Sequence, residues 1–177
     1  MRKNVFLLTL LMTMIWSGNM AAQDFYELSF KTITGENYDF ARLKGKKVLI
    51  VNTASKCGFT PQFKELEALN KEYAPGLVIL GFPSNDFMNQ DPGTNQEIKE
   101  FCEINYGVTF QMMDKSSVKG KNINPVFKWL SDKSQNGWND KAPGWNFAKY
   151  LIDEQGRLIG VWPSKTKPSD PEITGKL

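Results

Sequence analysis

Two cysteines carry whatever thiol chemistry this chain can do, and they sit in unlike surroundings. Cys57 lies in Ala54-Ser55-Lys56-Cys57-Gly58-Phe59-Thr60, directly after an apolar β-branched run and just before a helix start at Thr60-Pro61. The thiolate rather than the thiol is the nucleophile, and both a helix start and the neighbouring Lys56 favour it. Gly58 lets backbone come close to whatever the sulfur attacks. A free cysteine is more often a small core hydrophobe, but the residues around Cys57 are polar and loop-like rather than periodic. Cys102 shares a helical face with Ile98 and Phe101, which is expected to pack inward. It reads as a core cysteine, as a static disulfide partner of Cys57, or as a resolving thiol that reaches an oxidised Cys57 when its helix unwinds. Gln90, Trp145 and Asn146 fall in loops that can lie at the same sheet edge as Cys57. Amide and indole N–H groups there supply donors to a thiolate without adding a competing base. Each of the three also has an ordinary reading, as a loop amide or a core tryptophan.

The composition closes off other chemistries. There is no histidine, which excludes a Ser-His-Asp triad, a Cys-His pair and any His-ligated metal. Two cysteines cannot build a tetrahedral thiolate zinc site, so neither a metal nor another cofactor is expected. Apolar residues make up 41% and charged residues 23%, ordinary for a globular domain. The formal charge of +3 is dispersed along the chain, and no nucleic-acid partner is expected from it.

Positioning elements follow from the pattern. Arg2 and Lys3, the apolar run from Val5 to Trp16, and small or polar residues to Ala22 have the order of a secretory signal. Residues 1–22 are therefore expected to be a signal peptide, and residues 23–177 a single exported domain, periplasmic or secreted, with no stable membrane insertion after cleavage. Phe25 to Ile33 and Asn37 to Phe40 read as an N-terminal hairpin. KVLIVNT (47–53) and LVILGF (77–82) read as strands buried on both faces, and Phe63, Leu66, Leu69 and Tyr73 as the stripe of the helix between them. Thr60 is expected to cap that helix, with Pro61 at its first position. Thr94 and Glu97 form a capping-box pattern for a helix to about Tyr106. Val108, Phe110 and Met112 alternate as a strand, Asn124-Pro125 opens a helix through Lys133, and 147–152 with 157–162 read as a closing hairpin. A short last helix starts at Pro171. A βαβ half, an interposed helix and strand, and an antiparallel hairpin make an α/β, thioredoxin-like fold: a central mixed sheet flanked by helices.

Three segments resemble the glutathione peroxidase family, in its cysteine-containing branch. They are Val51-Asn52-Thr53-Ala54-Ser55-Lys56-Cys57-Gly58-Phe59-Thr60, the stretch from Gly81 to Gly93 (GFPSNDFMNQDPG), and Trp145-Asn146-Phe147. The resemblance runs from about Phe25 to Leu177. It implies a peroxidase in which Cys57 is the peroxidatic nucleophile and Gln90, Trp145 and Asn146 complete a catalytic tetrad, supported by Lys56, Gly58 and Asn85. It implies a hydrogen peroxide, organic or lipid hydroperoxide substrate and a role in the response to oxidative stress. Cys102, in Glu100-Phe101-Cys102-Glu103, matches the resolving cysteine of thioredoxin-dependent members, which implies a redox-active disulfide re-reduced by a thioredoxin-like protein, the favoured reductant, or by glutathione. Ser84 stands where many members have a third cysteine, Asp86 where glutamine is common and Thr53 where valine is common. The short stretch from Trp129 to Trp145 lacks the insertion of tetrameric members, which implies a monomer or weak dimer.

Two other functions compete. An envelope thiol–disulfide oxidoreductase would carry Cys-x-x-Cys, and Thr60 occupies the second position here. A non-catalytic thioredoxin-fold binding module would hold its two cysteines as a permanent staple.

Overall fold

The N-terminal hairpin forms from shorter strands than expected. Asp24 accepts the Tyr26 amide and caps one 3-10 turn, Phe25–Glu27, so the apolar residues at 25 and 26 enter the core from a turn rather than a strand. Strand β1 is Ser29–Lys31, paired antiparallel with β2, Asn37–Asp39. The computed structural model describes residues 23–177, and the expected signal segment lies outside the described residues.

Strand β3, Lys47–Thr53, is buried from its second residue to its last. Its side chains alternate between two apolar clusters, Val48 and Ile50 on one face of the sheet and Leu49 and Val51 on the other. A strand covered on both sides has to be apolar throughout, which is what the run of β-branched residues encodes. Helix α1, Phe63–Glu72, lays Phe63, Leu66 and Leu69 on the second cluster and leads to β4, Leu77–Pro83, parallel to β3. Each such side chain buried whole contributes about 1.5–3 kcal/mol.

Helix α2, Asn95–Tyr106, has the reciprocal Thr94–Glu97 capping box and ends on Gly107 at φ 62°, a left-handed position suited to glycine. Strand β5 is only Gln111–Met112, parallel to β4, although Val108 and Phe110 are buried as the alternation predicts. Asn124 caps α3, Pro125–Leu130. The helix expected through Lys133 stops at Ser131, because Asp132 caps a separate turn, α4, Lys133–Asn136. Strands β6, Lys149–Ile152, and β7, Leu158–Trp162, close the sheet as an antiparallel hairpin, and α5 is Pro171–Thr174.

The sheet order is β5-β4-β3-β6-β7, the mixed sheet of a thioredoxin-like fold. β3 and β4 are parallel, so both end at the same edge. β6 runs the other way, with Lys149 opposite Val51, so it begins at that edge. The segments 54–60, 84–93 and 145–148 therefore meet by topology alone.

Candidate active site

The turn after β3 holds Cys57, and Thr60 shapes it differently from expectation. The Thr60 hydroxyl accepts the Cys57 amide at 3.0 Å and donates to the Ala54 carbonyl at 2.9 Å. It caps no helix: a 3-10 turn over Thr60–Gln62 comes first and α1 starts at Phe63. The amides such a cap would take are already paired, Gln62 with the Phe59 carbonyl and Phe63 with the carbonyls of Thr60 and Pro61, so the hydroxyl is left to brace the turn. The Phe59 amide points at the Cys57 Sγ at 3.5 Å. Cys57 is 8% exposed, while Lys56 and Gly58 on either side are exposed.

Gln90 joins the three loops. Its carbonyl accepts the Lys56 amide at 2.9 Å, and its side-chain Oε1 accepts Asn146 Nδ2 at 3.0 Å. That use of the amide oxygen leaves the Gln90 N–H₂ group for a ligand. Asn146 is fully buried, and its Oδ1 has no protein partner. Trp145 is partly exposed and packs on Phe87 with ring centroids 5.5 Å apart. The 145–148 segment is clamped to β3 by Asn52, which donates to the Trp145 carbonyl, accepts the Ala148 amide, and takes the Phe147 amide on its own carbonyl. The clamp holds Phe147 at φ 63°. A left-handed aromatic residue costs about 1–3 kcal/mol, and the surrounding bonds sustain it.

Asp91 is a site residue that sequence reasoning passed over. It is fully buried, its Oδ1 accepts both the amide and the hydroxyl of Ser55, and its Oδ2 has no partner. Burial pushes its carboxyl up, against the Ser55 hydrogen bonds and the more distant Lys115 and Lys56, which pull it down. Asn85 completes the link by accepting the Asp91 amide at 2.9 Å and donating to Asn89. A carboxylate between glutamine and proline in a polar loop gives no sign of burial, so no spacing rule would have found it. Of the departures at 86 and 53, the first gains a structural role and the second has no structural explanation. Asp86 accepts the Val118 amide at 2.7 Å and the Ser117 hydroxyl at 3.1 Å, tying a neighbouring loop to the site. Thr53 Oγ1 is buried without a partner, a cost of about 1–3 kcal/mol that valine would not incur.

Behind the site lies a second unforeseen residue. Lys149 is fully buried, and its Nζ donates to the carbonyls of Ser164 at 3.2 Å and Thr166 at 2.5 Å. Burial pulls its ammonium down to about 7, with Glu65 opposing. Cys102, 1% exposed on α2, moves the other way: burial first, then Asp91 and Glu103, push its thiol up to about 12. These shifts fix a stability profile. From about 7 to the ordinary lysine value of 10.5 the unfolded chain holds a proton that the folded chain lacks, so stability from Lys149 rises with pH. From the ordinary thiol value of 9.0 to about 12 the folded chain keeps a Cys102 proton that the unfolded chain loses, so stability falls. The unfolding free energy should climb above pH 7 by up to about 1.4 kcal/mol per unit, level off while the two effects offset, and drop at higher pH. Urea titrations across that range would show it, and Lys149→Met should flatten the rising limb. An unchanged slope in that variant would refute the assignment.

Cys57 and Cys102 are free thiols in one apolar cluster. A groove of about 410 Å³ runs between the Ser55-Lys56 backbone and the first turns of α2, lined by Pro92, Ile98 and Phe101 among others. Another, of about 490 Å³, is lined by Phe59, Trp145 and Pro163 among others. Residues of the sulfur-bearing turn line both, Ser55 and Lys56 the first and Phe59 the other. Among the described residues no cluster of three metal-ligating side chains occurs.

Residues 25–131 match the family model described as glutathione peroxidase. The chain is 50% identical over 156 residues to glutathione peroxidase-like peroxiredoxin 2 of Saccharomyces cerevisiae, covering 86% of this chain and 96% of that protein. It is 47% identical over 148 residues to the glutathione peroxidase homolog BsaA of Bacillus subtilis, covering 83% and 92%. The crystal structure of Trgpx in apo form is similar to it at a TM-score of 0.67 and 37% identity, over 87% of this chain and 95% of that one.

Proposed function

The chain belongs to the glutathione peroxidase family and is a thiol peroxidase, and from that premise we propose that Cys57 is its peroxidatic thiol, Gln90, Trp145 and Asn146 the groups that assist it, and Cys102 the thiol that resolves it. The observation that carries this reading is the double engagement of Gln90. One residue binds the backbone beside Cys57 and the side chain of Asn146, so the amide donors and the sulfur belong to one frame.

In the proposed cycle the Cys57 thiolate attacks one oxygen of the peroxide, a sulfur–oxygen bond forms and the oxygen–oxygen bond breaks. The sulfur is oxidised to a sulfenic acid, and the departing oxygen takes a proton to leave as water or an alcohol. Negative charge develops on that oxygen, and the Gln90 and Trp145 N–H groups are suited to receive it. The Cys102 thiolate then attacks the sulfenic sulfur, a disulfide forms and the hydroxyl leaves with a proton as water. A dithiol of the thioredoxin type restores both thiols by two exchange steps. With residues 1–22 acting as a signal, this cycle would run outside the cytoplasm, in a monomer or weak dimer. The competing dithiol-exchange reading needs a second thiol at position 60, where a buried threonine hydroxyl is engaged in the turn.

Steady-state peroxide consumption tests the reductant. A thioredoxin-type dithiol should sustain turnover at least about tenfold faster than glutathione at equal thiol concentration, because the disulfide substrate favours a two-thiol partner. Equal rates with both would remove the resolving role from Cys102.

A further inference from the structure

We propose that Lys149 and Ser164 act together as a positioning pair that fixes Asn146, and through it Gln90, against the Cys57 turn. The inference rests on the peroxidase reading above and concerns residues outside the set that touches peroxide. Asn146 is fully buried, and its side chain is held at one end only, with Nδ2 bound to Gln90 and Oδ1 without a partner. Its backbone is held from behind, where the Ser164 hydroxyl donates to the Asn146 carbonyl. Ser164 lies past the end of β7, outside the sheet ladder, so something else has to hold it. Its carbonyl accepts from Lys149 Nζ at 3.2 Å and from Gln62 Nε2 at 2.8 Å. Lys149 also takes the Thr166 carbonyl at 2.5 Å, pinning the segment at two points.

A buried amine at the start of β6 explains itself in this way. Two carbonyls leave the sheet where no strand can pair them, and an amine brings donors to both. Glu65, on α1, is the charged group that faces the amine. Carbonyl and hydroxyl sit on one residue, so a shift of Ser164 passes directly to Asn146. A misplacement of about 1 Å in such a frame can cost about 10²-fold in rate without any change in the reacting groups.

The test uses the full reduced chain with Lys149→Met, Ser164→Ala, Ser164→Thr and the Lys149→Met/Ser164→Ala double variant. Two rates at Cys57 are compared: oxidation by hydrogen peroxide and alkylation by iodoacetamide, which needs the sulfur but no donor on a departing oxygen. Lys149→Met and Ser164→Ala should each lose about tenfold or more in the peroxide rate, with alkylation within about twofold of wild type. The double variant should lose no more than the worse single one, because both act through the same contact. Ser164→Thr, which keeps the hydroxyl, should restore the peroxide rate. If Lys149→Met fails to fold, the two Ser164 variants decide. A peroxide rate unchanged in Ser164→Ala, or a parallel fall in both rates, overturns the positioning role while leaving the peroxidase reading intact. A wild-type Cys57 that reacts no faster than free cysteine overturns both.

Discussion

Cys57→Ser should lower peroxide consumption by on the order of 10³-fold or more while leaving the fold in place. A serine hydroxyl holds its proton far above the range in which a thiol gives it up, and no histidine exists in the chain to take that proton. The other half of the expectation comes from the turn. The bonds that shape it run between backbone and Thr60, and the contact made by the sulfur itself is with the Phe59 amide, which a hydroxyl can also accept. Thermal unfolding should therefore shift little. Activity retained within tenfold would show that the oxidisable group lies elsewhere.

Cys102→Ala should separate the two halves of the cycle. Oxidation of Cys57 by the first equivalent of peroxide should keep its wild-type rate, and turnover driven by a dithiol should fall by on the order of 10²-fold. Cys102 is packed against Ile98 on a helix closed at one end by the Thr94–Glu97 box and at the other by Gly107. With its thiol pushed up to about 12, the closed helix presents a neutral, covered sulfur that cannot attack. Opening the helix would do two things at once, exposing the sulfur and returning its pKa towards the ordinary value. Amide exchange across 98–106 should accordingly be faster in the oxidised protein than in the reduced one. Dithiol turnover at the wild-type rate in Cys102→Ala would mean that an external thiol resolves Cys57 directly.

The strands that position the site were legible because their environment leaves only one kind of sequence. A segment covered on both faces, such as β3, has to be a continuous apolar run. Thr94 with Glu97 and Asn124 with Pro125 marked their helix starts because capping is local, settled within four residues. Thr60 shows the limit of that locality: the same hydroxyl can cap the helix ahead or brace the turn behind, and the choice depends on where Ala54 lies in space. Phe25 and Tyr26 misled for a related reason, since apolar residues reach a core as well from a 3-10 turn as from a strand.

The frame around the sulfur was less legible. Cys57, Gln90 and Asn146 were named from sequence, and parallel β3 and β4 with antiparallel β6 bring their loops to one edge. Asp91, Asn52, Gln62 and Ser164 hold that frame through bonds spanning 36, 93, 102 and 18 residues. Polar residues paired across such separations leave no periodicity to read. One signal was available: Lys149 opens a strand whose four residues are all buried, and a charged residue so placed has to find partners.

Whether Cys57 and Cys102 form one peroxide-driven couple is tested by the mass of the reduced protein before and after one equivalent of hydrogen peroxide, with free thiols alkylated. Both thiols should be lost together, and digestion should yield a peptide joining Cys57 to Cys102. Both thiols still reduced and alkylated after the peroxide is added would contradict it.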